Sequence, residues 1–172
     1  MKASIFSLLG AALLAVSLSG AQGASEKKAK CVVSGQEIEV TDKTAKSFVQ
    51  GKPVYFCCDK CPMAFAKNPE KFVKNVGDCP VLGTPVSAPK ATERVVVNNG
   101  LWYLCCAGCT DQVGANPTVL KQLEDVVSHK TFKVTSNNPR SDYKEQVYLF
   151  ENAENKAAFD KDPAKYAVVF AR

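Results

Sequence analysis

Eight cysteines carry the chemical information in this 172-residue chain, beside one histidine and two methionines. They stand at 31, 57, 58, 61, 79, 105, 106 and 109, and each of the last four lies 48 residues after one of the first four. The set reads Cys-x25-Cys-Cys-x2-Cys and recurs intact. Three or four thiolates drawn from Cys31, Cys57, Cys58 and Cys61, and again from Cys79, Cys105, Cys106 and Cys109, suit a thiophilic ion. Zinc takes a tetrahedral set, and Cu(I) accepts soft thiolates. Two other chemistries fit the same residues. An exported chain with an even number of cysteines points to disulfides, such as Cys31 with Cys61 and Cys79 with Cys109, although adjacent cysteines serve a simple framework poorly. Cys58-Asp-Lys-Cys61 and Cys106-Ala-Gly-Cys109 are also C-x-x-C pairs, as in thiol–disulfide oxidoreductases. Those enzymes place the motif in a βαβ domain of about 100 residues, twice the size of one set here, and Cys31 and Cys79 would be left without a role.

The cysteine spacing is part of a longer repeat. Without gaps, 31–74 aligns on 79–122 with eleven of 44 positions identical, all four cysteines among them, which reads as a duplication. Tyr55-Phe-Cys-Cys-Asp-Lys-Cys61 faces Tyr103-Leu-Cys-Cys-Ala-Gly-Cys109, and Asn68-Pro69 faces Asn116-Pro117. A shift of 94 finds a third, cysteine-less copy: Phe56 falls on Phe150, Phe65 on Phe159, Pro69 on Pro163, and Phe72 on Tyr166. Glu151, Asn152 and Asn155 then stand at the three clustered cysteine positions.

These residues need elements that bring them together. In each copy a short strand or turn holds the first cysteine. An aromatic run after a turn, Gly51–Phe56 or Asn99–Leu104, predicts a hairpin strand ending at the cysteine cluster. Pro62–Lys67 predicts a helix with Pro62 in its first turn, and Asn68 caps a second short helix. The third copy repeats this with helices over Ala153–Asp160 and Pro163–Ala167. Cys58 and Cys61 share a helix face. Neighbours on a strand point to opposite faces, so Cys57 and Cys58 reach one centre only where the strand breaks. A unit under 50 residues makes a poor core alone, which gives its cysteines a structural reason to exist and predicts one compact array.

Before the first cysteine, Lys2, an apolar run from Ile5 to Leu18 and the small residues Ser19, Gly20, Ala21, Gly23 and Ala24 read as a secretory signal peptide over 1–23. The run is shorter than the ~20 residues of a spanning helix. The expectation is a periplasmic or secreted product without stable membrane insertion once the signal is cleaved. No cysteine near the cleavage point suggests a lipoprotein. The domain reading is 24–30 as a mature leader, then modules over 31–76, 77–124 and 125–172. Charged residues at 23% and hydrophobic residues at 46% are globular usage. A formal charge of +5, dispersed along the chain, is too mild to predict nucleic-acid binding. Nothing resembles a Ser/His/acid set, a paired-carboxylate hydrolase or a Gly-rich phosphate loop, so the expectation is a non-enzyme. His129 reads as a surface residue between modules, Trp102 as core, and Glu151 and Asn152 as the solvated face of a degenerate site.

Cys31-Val-Val-Ser-Gly35, Gly51-Lys-Pro-Val-Tyr-Phe-Cys-Cys-Asp-Lys-Cys61, Phe65 and Asn68-Pro-Glu-Lys-Phe72 together resemble the YHS domain and the related TRASH metal-binding domain, in their exported bacterial form. The second module resembles it less closely. The third is similar to the cysteine-free ending, with Glu154-Asn155, Phe159 and Asp162-Pro-Ala-Lys-Tyr166. The resemblance implies an α+β fold of tandem small treble-clef-like modules, each a β-hairpin plus short helices, two of them cysteine-bearing and one cysteine-less. It implies heavy-metal binding, buffering or transfer, with a metal-handling envelope protein as partner. The ligands it implies are Cys31, Cys57 and Cys61, then Cys79, Cys105 and Cys109, for up to two ions of zinc or Cu(I) per chain. Ser34 and Leu82 stand where the family often has a further cysteine, and Cys58 and Cys106 stand where many members have serine. Those two thiols either complete a four-thiolate set or leave it with an open position.

Overall fold

A computed structural model describes residues 27–91 and 93–171. The signal peptide expected at 1–23 lies outside the described residues. The rest is an α+β fold of small β-hairpins and short helices. Strands β1 (Lys27–Lys30) and β2 (Glu37–Val40) form a first small hairpin. Strands β3 (Lys46–Val49) and β4 (Lys52–Tyr55) form a second, followed by helix α1 (Lys60–Lys67) and a 3-10 turn over Pro69–Lys71. The same series follows as β5 (Asn75–Asp78), β6 (Pro85–Ser87), β7 (Glu93–Val97), β8 (Gly100–Leu104), α2 (Ala107–Ala115) and a 3-10 turn over Pro117–Leu120. It follows again as β9 (Gln122–Glu124), β10 (Thr131–Lys133), β11 (Arg140–Tyr143), β12 (Gln146–Leu149), α3 (Ala153–Lys161) and α4 (Pro163–Tyr166). Each series begins a few residues before the cysteine position. Lys27–Lys30, read as leader from sequence, is a strand, and β5 spans the boundary expected at 76.

The registers repeat with the sequence offsets. Lys46 pairs Tyr55, Arg94 pairs Tyr103 and Arg140 pairs Leu149 across the three larger hairpins. Each closes through two residues with positive φ: Gln50 and Gly51, Asn98 and Asn99, Lys144 and Glu145. A two-residue turn of this hand matches the twist of its strands, and glycine and asparagine accept it with least strain. At Gly51 a side chain would also meet the Trp102 ring, 3.2 Å from an added Cβ.

The larger hairpins assemble into one six-stranded sheet in the order β11-β12-β7-β8-β3-β4. The first strand of one larger hairpin pairs in parallel with the second strand of the next: β3 with β8 through Val49 and Leu101, and β7 with β12 through Val97 and Val147. One side-chain amide locks each junction. Gln50 accepts from the Tyr103 amide at 2.9 Å and donates to the carbonyls of Tyr103 and Asp78 at 3.1 and 2.8 Å. Asn98 accepts from the Leu149 amide at 2.7 Å and donates to the carbonyls of Leu149 and Glu124 at 2.7 and 2.9 Å. Lys144 stands at this turn position in the third series.

The helices lie beneath this sheet. Phe65 from α1 is fully buried, its ring centroid 5.5 Å from Phe56 and 6.3 Å from Phe72. Phe159 from α3 repeats this against Phe150 at 5.2 Å and Tyr166 at 6.3 Å. Each such phenylalanine contributes roughly 1.5–3 kcal/mol by burial. Trp102 is buried, as expected for a core residue. The tail after α4 returns to the first series: Phe170 meets Phe65 edge-on at 6.1 Å, and the Ala171 amide donates to the Ala66 carbonyl at 2.9 Å. Val168 and Tyr166 are held on the way by the Asn99 side chain at 2.8 and 2.7 Å. Among the described residues no helix is long and apolar enough to cross a membrane.

Candidate metal centres

Each cysteine set is gathered from three elements. The first member sits in the turn after β1 or β5. That turn is built by the Cys31 amide on the Gln36 carbonyl and the Gly35 amide on the Cys31 carbonyl, at 2.8 and 2.9 Å. Cys79 makes the same pair with Thr84 and Gly83, both at 2.8 Å. Gly35 and Gly83 adopt φ of +75° and +67°, the left-handed region in which glycine is unstrained. A bond from the Val32 amide to the Tyr55 carbonyl, 3.0 Å, fixes the first turn against β4. The second member, Cys57 or Cys105, follows the last strand, and the third, Cys61 or Cys109, stands in the first turn of α1 or α2.

The result is two three-cysteine groups, Cys31/Cys57/Cys61 and Cys79/Cys105/Cys109, in which all sulfurs lie within 4.8 Å of one another. Cys57 Sγ is 3.6 Å from Cys61 Sγ, and Cys105 Sγ is 3.6 Å from Cys109 Sγ. Thiolates at the ~2.3 Å zinc–sulfur distance stand about 3.8 Å apart around a tetrahedral ion, so this separation fits one ion per group. Cys31, Cys61, Cys79 and Cys109 are buried. All eight cysteines are free thiols.

Cys58 and Cys106 lie outside these triangles. Their sulfurs approach Cys61 at 3.4 Å and Cys109 at 3.2 Å, and Cys58 is exposed. They stand at the helix N-terminus, where Asn152 caps α3 by accepting from the Asn155 amide at 2.9 Å. Ser34 supplies a further polar atom to the first centre, its Oγ 3.3 Å from Cys57 Sγ. Leu82 is the counterpart at the second centre and is exposed.

The thiols do not share protons evenly. Burial alone would push Cys31 up. The Ser34 hydroxyl and the amides of Ser34, Cys57 and Val33 outweigh it and bring the thiol down to about 6. Burial likewise opposes Cys79, where the amides of Leu82, Cys105 and Val81 and the Cys105 thiol bring it down to about 7. Cys61 is pushed up to about 12, first by the Cys58 thiol, then by burial and by Cys57 and Cys31. Cys109 is pushed up in the same way, chiefly by Cys106. Cys58 and Cys106 are lowered, first by Cys61 and Cys109 respectively, then by helix N-terminal amides. Without an ion, loss of the proton is therefore favoured at the turn cysteine of each group and its retention at the helix cysteine. An ion held by the three sulfurs would supply the positive charge that favours loss of the second.

Sequence reasoning placed Glu151, Asn152 and Asn155 at the vacated cysteine positions. Glu151 and Asn152 are exposed, as expected. His129 is exposed but does more than link modules. It takes the left-handed turn position of Gly35 and Gly83, with φ +57°. The residue missed is Asp125, which the 94-residue shift places on Cys31 and which is fully buried. Compared with protein-family models, curated proteins and solved structures, the chain matches none of them.

Proposed function

We propose that this is an exported, non-enzymatic thiolate metal-binding protein that takes up to two ions, zinc or Cu(I), for binding, buffering or transfer to a metal-handling envelope partner. The observation that carries the reading is the pair of three-cysteine groups with matching sulfur separations. The repeated turn–hairpin–helix series is consistent with three YHS-like modules, two equipped for metal and one not. A triangle of thiolates also leaves room for an added ligand from a partner, which suits exchange better than permanent structure. Native mass spectrometry of the reduced protein supplied with zinc or Cu(I) tests it. Two bound ions per chain support the reading. A metal-free chain lighter by pairs of hydrogens replaces it with a disulfide framework.

One observation favours a second reading. The Cys58–Cys61 and Cys106–Cys109 sulfurs are close, at 3.4 and 3.2 Å, as thiol–disulfide exchange at a C-x-x-C pair requires. Insulin reduction that is lost in Cys58→Ser would support exchange, and an inert wild-type protein would remove it.

A further inference from the structure

The third series lacks thiols but keeps the shape of the centre, and Asp125 supplies the reason. Its backbone makes the same turn as Cys31 and Cys79: the Asp125 amide donates to the Lys130 carbonyl, and the His129 amide to the Asp125 carbonyl, both at 2.9 Å. Its carboxylate then receives four hydrogen bonds. Oδ1 accepts from the amides of Val127 and Ser128 at 2.9 and 3.2 Å, and Oδ2 accepts from the Glu151 amide and the Asn155 side chain at 2.9 and 3.0 Å. Val127, Ser128 and Glu151 are the counterparts of Val33, Ser34 and Cys57, whose amides surround the Cys31 sulfur. Asn155 is the counterpart of Cys61. The carboxylate therefore ties turn, strand end and helix together, the three elements that an ion would tie in the other two series. A carboxylate has about four lone-pair sites, and all four are used here, so no hard cation is accommodated.

We propose that Asp125 is a built-in substitute for the ion-and-thiolate centre. It closes the third series without metal and keeps the sheet ordered while the two three-cysteine groups are empty. The connections needed are in place. Asn98 of the second series grips Glu124 and Leu149 on either side of the clasp. The tail leaving α4 reaches Ala66 in the helix that carries Cys61. Each unit, on a 48-residue period, is only a little longer than the roughly 40 residues below which domains usually need a metal, a disulfide or a partner, so such a closure strengthens a small core. The stripped protein thus remains a folded acceptor. This inference rests on the metal-binding reading for its comparison with a loaded centre and for the ion count in its test; the carboxylate clasp itself does not.

The test uses the full chain, with and without zinc, in three forms. Wild type should bind two ions and keep its circular-dichroism spectrum after chelation. Asp125→Asn turns an amide N–H toward two donors. It should lower the melting temperature by roughly 5–10 °C in the loaded and the stripped protein alike, whereas Cys31→Ser should narrow the difference between those two states. The triple variant Asp125→Cys, Glu151→Cys, Asn155→Cys should bind three ions. A wild-type chain that unfolds on chelation overturns the proposal. So does an Asp125→Asn protein that melts with wild type, or a triple variant that binds two ions or fails to fold with zinc present. If wild type binds no ion, the metal reading fails by itself. The clasp then stands or falls on the Asp125→Asn melting temperature.

Discussion

Ion affinity at the two centres should depend on pH with a break set by the turn cysteines. At the first centre Cys31 titrates at about 6 and Cys61 at about 12. Between those values the Cys61 proton is present in the empty site and is displaced when the ion binds. At least one proton per ion is released, and each one makes apparent affinity rise tenfold per pH unit. From pH 7 to pH 9 this amounts to at least 100-fold, or about 2.7 kcal/mol at ~1.36 kcal/mol per unit. Below pH 6 the Cys31 proton joins it, and the dependence steepens by a further tenfold per unit. Folding of the metal-free chain depends on the same two thiols, but with opposite signs. Cys31 is lowered from an ordinary value of 9, so its contribution is complete above pH 9 and lost as pH falls through 6. Cys61 is raised from 9, so its contribution is present below pH 9 and lost as pH rises through 12. These two thiols together place their greatest contribution to metal-free stability near pH 9. The assay is competition against a chromophoric chelator of known proton affinity, run from pH 5 to 9 with free zinc held constant. Ser34→Ala removes one of the groups that lower Cys31 and should move the break upward. Affinity that is flat from pH 7 to 9, or a slope that does not steepen near pH 6 in the wild-type protein, refutes this pH dependence.

Two further outcomes follow from the geometry. Cys58→Ser and Cys106→Ser should each retain two ions per chain by mass, because their sulfurs stand outside the three-cysteine triangles, whereas Cys61→Ser and Cys109→Ser should each retain one. Equal losses in all four variants would make the centres four-thiolate sites. Asn98→Ala removes three hydrogen bonds, worth about 1 kcal/mol each, from a buried position. It also places alanine at φ +49°, which adds about 1 kcal/mol. Urea unfolding of the zinc-loaded protein should show a loss of about 4 kcal/mol for Asn98→Ala and about 3 kcal/mol for Asn98→Gly. A loss under 1 kcal/mol for either would mean that the junction does not depend on the clamp.

The parts of the fold that are legible in the sequence are those expressed as offsets. The 48-residue spacing of the cysteines places them in two equivalent centres, and the 94-residue shift that aligns Phe56 and Phe65 with Phe150 and Phe159 finds rings in the same arrangement. The hairpin strands are visible because aromatic runs after turn residues have a local cause. The junctions are not visible in this way. Asn98 is a turn residue by composition, and its bonds to residues 124 and 149 depend on which strands become neighbours. Strands β1, β5 and β9 are too short to show alternation, so sequence pattern alone places the start of each series late. Asp125 is invisible to a search for ion-holding residues, because a carboxylate saturated by amide donors does not hold one.

The same amides explain why one frame accepts both solutions. Two amides of the turn and one from the strand end point at the first-member position in all three series, around Cys31, Cys79 and Asp125. Such a nest of donors favours an anion there, whether sulfur or oxygen. What distinguishes the series is the helix residue opposite. Cys61 and Cys109 bring a thiol that needs a cation between it and the turn. Asn155 brings its own donor, 3.0 Å from the carboxylate, and needs none. On the proposed reading, three side chains, at the turn, the strand end and the helix, separate an ion-dependent closure from an ion-independent one with the backbone retained. Two groups able to hold an ion and a series closed by a carboxylate can therefore share a single sheet.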